Sequence, residues 1–141
     1  MSKLFEKEFI SHCNNKELEV NPNQIAVIKK LEQYYQSNFK SFFSKLFSKQ
    51  NSKKGFYLFG GVGVGKTMIL NFFIDQVDQK KLRQHFNEFM LSFHDFAHER
   101  KDKNEENVIN QFVKNLKSKA SLIYFDEFQV TNIVDAMILG K

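Results

Sequence analysis

Two short stretches hold the residue types that chemistry could use. The first is Gly60-Gly61-Val62-Gly63-Val64-Gly65-Lys66-Thr67, between the aromatic and apolar run Phe56-Tyr57-Leu58-Phe59 and the largely apolar residues 68–77. The second is Asp126-Glu127, directly after Leu122-Ile123-Tyr124-Phe125. Gly60-x-x-x-x-Gly65-Lys66-Thr67 fits the phosphate-binding loop pattern at every fixed position. A cluster of phosphate oxygens is held best by backbone N–H groups turned inward, a curvature and closeness that Cβ atoms obstruct, which accounts for the glycines. A helix starting near Gly65 adds its unpaired N–H groups and positive dipole end. The expected nucleotide contacts are therefore Gly60, Gly61, Val62, Gly63, Val64, Gly65, Lys66, Thr67 and Met68. Lys66 would bring a point charge to the β- and γ-phosphates of ATP, a catalytic contribution, and the Thr67 hydroxyl would face Mg²⁺. The dinucleotide fingerprint G-x-G-x-x-G fails, because after Gly61 and Gly63 its third glycine falls at Lys66.

The acids complete the chemistry. A parallel strand covered on both faces stays apolar until it emerges at its C-terminal edge, where such sheets bind ligands. Asp126 is expected to hold Mg²⁺ through a water, and Glu127 to orient or deprotonate the water attacking the γ-phosphate. Other combinations are poorer. His94 and His98 have a metal-compatible spacing, but Asp95 follows His94 where the zinc-protease motif has glutamate, and no third ligand stands in register. His12-Cys13 is an isolated pair.

These residues need positioning elements. Asn21-Pro22 reads as a helix start, and Ile25, Ile28, Leu31, Tyr35, Phe39, Phe42 and Leu46 then recur at helical steps with lysines opposite. Such a stripe can lie on an anionic membrane surface, but packing against the domain's own core is the preferred reading. Residues 1–20 allow one short helix and residues 48–54 are a polar joint. A strand at 55–59, a helix from Gly65, a second strand at 82–86, helices over 89–99 and 108–116, a third strand at 121–125 and a last helix over 133–139 capped by Thr131 complete the expected order. Alternating strands and helices predict an α/β fold of the P-loop NTPase type, with a mainly parallel sheet between helices. The expected organisation is a helical leader over 1–54 and an incomplete ATPase core over 55–141.

Composition narrows the class. The chain has 141 residues, 42% of them hydrophobic and 26% charged, which are globular values. No apolar run approaches the roughly 20 residues that span a bilayer, and the first residues lack a signal-peptide core. One cysteine, Cys13, allows no internal disulfide, and a cytoplasmic location is the simplest expectation. The net charge of +5 comes from scattered lysines, with Arg83 and Arg100 the only arginines, which disfavours a built nucleic-acid groove.

Taken together, residues 60–70 (GGVGVGKTMIL), 85–90 (HFNEFM), 125–139 (FDEFQVTNIVDAMIL) and 21–31 (NPNQIAVIKKL) resemble the ZapE-like family of AAA+ ATPases. Val64, Asn21 and Asn132 depart from that family's usual residues without removing a phosphate, metal or water-activating group. The resemblance implies ATP binding and Mg-dependent hydrolysis, release of ADP, a homo-oligomeric ring, and a protein partner such as the division protein FtsZ. Family members are more than twice as long, and this chain stops 14 residues after Glu127, so the resemblance implies an amino-terminal part without sensor strand, arginine finger or lid. The alternatives are an inactive remnant or a nucleotide-binding module needing another chain, and an ATPase acting on nucleic acid.

Overall fold

A computed structural model describes residues 4–40, 54–100 and 104–140. Phe42 and Leu46 of the expected stripe, residues 48–53 of the expected joint and residues 101–103 lie outside the described residues. The chain divides into two compact units, Met1–Asp78 and Gln79–Lys141.

The first unit is helical. Helix α1 (Leu4–Asn15) places Phe5, Phe9 and Cys13 four residues apart, so all three lie on one face, and all are buried. Helix α2 (Pro22–Tyr35) starts as its sequence dictates. Asn21 Oδ1 accepts from the Asn23 N–H at 2.8 Å, and Pro22 fills the first helical position, where its missing N–H costs nothing. Its buried residues are Ile28, Leu31, Glu32 and Tyr35. Ser37 and Asn38 then bond back to the carbonyls of Gln33 and Tyr34, at 2.8 Å each, as the helix widens into a π-helical turn over Gln36–Lys40.

Helix α3 (Lys66–Gln76) contributes Ile69, Phe72, Phe73 and Ile74 to the same core. Phe9 meets Phe72 at 5.1 Å between ring centroids, and Phe5 stacks on Tyr35 at 6.0 Å. Full burial of one such side chain contributes about 1.5–3 kcal/mol, so interlocked rings dominate the cohesion of this unit.

The expected strand at 55–59 is not formed among the described residues. Tyr57 and Phe59, two positions apart, stack at 5.9 Å as an extended chain permits, but they are 66% and 78% exposed, and the sheet among the described residues consists of two other strands. A strand exists through its ladder, and apolar side chains alone do not make one.

The second unit holds a two-stranded parallel sheet, β1 (Lys81–His85) and β2 (Leu122–Asp126), in register from Lys81↔Leu122 to His85↔Asp126. Parallel strands need a crossover, supplied here by α4 (Phe86–Glu99) and α5 (Glu105–Lys119). The Asn104 side chain caps α5, Glu105 and Glu106 occupy its first turn, and Lys117 and Lys119 its last, each sign matching the helix dipole. The core of this unit is Phe86, Met90, Phe93, Val108 and Phe112. The Phe112 ring meets those of Phe89, Phe93 and Phe96 at 5.6, 5.2 and 5.3 Å. Helix α6 (Ile133–Leu139) follows, and its cap is Asn132, not Thr131: Asn132 Oδ1 accepts from the Val134 N–H at 2.9 Å. The mixed α/β character is as expected, with two paired strands among the described residues in place of a wider sheet.

Candidate functional site

The residues leading into α3 form a bent backbone. Gly63 and Gly65 have φ of +82° and +85°, the left-handed region that a Cβ makes costly. Gly60 and Gly61 have no such angle, and a Cβ on Gly61 would meet nothing within 4 Å. Curvature thus rests on two of the four glycines. Gly65 caps α3 without any side-chain hydrogen bond, and the first intrahelical bond runs from the Ile69 N–H to the Gly65 carbonyl at 3.0 Å. The N–H groups of Lys66, Thr67 and Met68 therefore have no intrahelical partner.

Lys66 Nζ lies over this loop, donating to the Gly60 carbonyl at 2.8 Å and the Gly61 carbonyl at 2.5 Å. The charge is thus held against the backbone that a phosphate would approach. Two α2 side chains brace the same region. Tyr34 Oη donates to the Lys54 carbonyl at 3.1 Å, and burial pushes its phenol above the ordinary range. Gln24 Nε2 donates to the Val64 carbonyl at 3.0 Å. An exposed turn with amides at a helix start and an ammonium overhead suits a polyphosphate in both charge and donor set.

Asp126 and Glu127 belong to the second unit, at the C-terminal end of β2. Asp126 Oδ2 accepts from Arg83 Nε at 2.6 Å across the sheet. That hydrogen bond, together with the charges around it, holds the guanidinium above its ordinary pKa. Arg83 also lies 5.6 Å from the centroid of the Tyr124 ring. Glu127 has φ of +53°, left-handed backbone in a residue with a Cβ, at the point where the chain leaves the strand. Such strain recurs at functional positions.

Sequence reasoning did not find Gln24 or Arg83. Arg83 had one signal, an arginine inside an expected strand in a chain whose other basic residues are nearly all lysine. His94 has a partner of another kind: its Nε2 lies 2.9 Å from Asp135 Oδ1. Among the described residues, no group of three or more His, Cys, Asp or Glu is placed to hold a metal ion.

Left-handed glycines lead here into an uncapped helix start, with a lysine folded over them. The model of the AFG1-like ATPase family matches residues 3–141, and the chain belongs to that family. It is similar to lactation elevated protein 1 homolog B of Danio rerio, 38% identical over 104 residues, covering 67% of this chain and 21% of that protein. It is also similar to the cell division protein ZapE of Escherichia coli K12, 34% identical over 96 residues, covering 66% of this chain and 24% of that protein. The chain thus spans under a quarter of the length of these relatives. No solved structure matches it significantly.

Proposed function

We propose that this chain binds ATP with Mg²⁺ and serves ATP hydrolysis as the nucleotide-binding part of a ZapE-like AAA+ ATPase. The observation that carries this is the loop: Gly63 and Gly65 left-handed, the start of α3 uncapped, and Lys66 Nζ bonded to two loop carbonyls. Residues 60–68 bind the nucleotide, the Lys66 ammonium moving from the Gly60 and Gly61 carbonyls to phosphate oxygens. Thr67 on the first unit and Asp126 on the second are each proposed as Mg²⁺ contacts, and the ion when bound would offset phosphate charge. Glu127 takes the proton of the attacking water. In this reading residues 1–54 are a leader and 55–141 belong to the ATPase core. A cell-division role, a ring of copies, a protein partner such as FtsZ and a cytoplasmic location belong to the same proposal. The ZapE relative's name supports the first of these. No helix among the described residues is long and apolar enough to cross a membrane.

The test is equilibrium binding of a fluorescent ATP analogue to the purified chain with Mg²⁺. Lys66→Ala removes a charge-assisted contact and is expected to weaken binding about ten- to a hundredfold. Undiminished binding by the variant refutes the assignment.

A second reading is nucleotide binding without hydrolysis by this chain alone. The Arg83–Asp126 pair favours it, since the carboxylate assigned to magnesium already has a cationic partner. Phosphate release separates the two readings. Turnover abolished by Lys66→Ala supports hydrolysis, and saturable binding without release supports the second.

A further inference from the structure

We propose that Gln24 is a two-ended positioning residue for the bound nucleotide. Its Nε2 fastens the phosphate loop from outside, and its Oε1 accepts a hydrogen bond from the nucleoside half of the ligand. The inference rests on the nucleotide-binding reading above.

Three observations meet at this side chain. First, Gln24 Nε2 donates to the Val64 carbonyl at 3.0 Å, forty residues away in sequence, which ties the first turns of α2 to the loop. A carbonyl only accepts, so this bond sets the orientation of the amide. Second, a Cβ built on Gly65 would lie 2.6 Å from Gln24 Nε2, so the amide packs directly on the backbone at the head of α3. Third, Gln24 Oε1 is buried and has no hydrogen-bond partner among the described residues. Buried acceptors are rarely left without a donor, because they have given up water for nothing. The ligand that this loop suits can provide one. Its phosphates at neutral pH are acceptors and cannot. The donors of ATP are the base amino group and the ribose hydroxyls, so one of these is the partner. Gln24 then reports on the nucleoside at one end and shapes the phosphate site at the other.

Calorimetry on the full chain tests this with four ligands: ATP, inosine triphosphate (no amino group), 2′-deoxy-ATP (no 2′-hydroxyl) and inorganic tripolyphosphate. The unaltered chain should prefer ATP over one of the two altered nucleotides by about tenfold, the worth of one buried hydrogen bond, and the disfavoured analogue names the donor. Gln24→Met keeps the side-chain length and loses both polar ends. It should bind ATP about ten- to a hundredfold more weakly and lose the preference. Gln24→Glu keeps the acceptor and loses the donor, so it should keep the preference while binding tripolyphosphate more weakly. Equal affinity of the unaltered chain for all three nucleotides overturns the proposal while leaving nucleotide binding intact. Preference undiminished in Gln24→Met overturns it equally. No binding of ATP or tripolyphosphate by the unaltered chain, with Lys66→Ala no different, refutes the nucleotide reading and this inference together. Melting curves of both variants check that the first unit still folds, and the two variants fail independently if one does not.

Discussion

Glu127 joins a proposed chemical role and a conformational cost in one residue. Its φ of +53° is a region that costs an ordinary L-residue about 1–2 kcal/mol. Glycine there removes the strain, offset in part by the greater freedom of glycine in the unfolded chain, about 0.5–1 kcal/mol. Glu127→Gly is therefore expected to stabilise the chain by up to about 1 kcal/mol in urea unfolding, while any phosphate release falls. A loss of stability would show that the carboxylate makes contacts worth more than the strain. The residue scale is also where the sequence was most readable. Lys66 could be placed beside the glycine turn from spacing alone, because the two are neighbours in the chain. Gln24 and Arg83 could not, because each acts on a residue forty or more positions away.

Elements obey the same division. Helices α2, α4 and α5 fall where apolar spacing predicts them, since a helix satisfies its own backbone and needs only one buried stripe. Residues 56–59 look as apolar as Leu122 to Phe125, yet among the described residues it is the latter that stand in the sheet. The difference lies in the partner, which no local pattern encodes. Within the crossover between β1 and β2, Phe112 is the ring on which three others converge, and it is 7% exposed. Phe112→Ala should cost about 3–5 kcal/mol by the combined loss of burial and opening of a cavity. Thermal unfolding followed by circular dichroism measures it. A loss below about 1 kcal/mol would mean that α4 and α5 close over the gap.

At the scale of the whole molecule, the ionisable groups shifted by burial set an alkaline limit. Burial pushes the Cys13 thiol above its ordinary value of 9.0 and the Tyr34 phenol above 10.0. Both are neutral acids that the fold keeps protonated. Between the unfolded and folded pKa values the unfolded chain binds fewer protons, so stability falls as pH rises. Their contribution is fully present below about pH 9 and is lost progressively above it. The melting temperature of the chain should decline from about pH 9 upward, and Cys13→Ala should soften the onset. A flat profile to pH 11 would show that neither group is retained in its neutral form. Residues 1–20 allow one short helix and α1 is that helix, but which face it buries shows only once Phe5, Phe9 and Cys13 are seen in line.

The pair between Arg83 and Asp126 has a mechanical side. Their bond runs sideways between neighbouring strands, close to the tip of the sheet. Any cation that claimed the aspartate would have to displace this tether, and the five-residue backbone ladder would still hold β1 to β2.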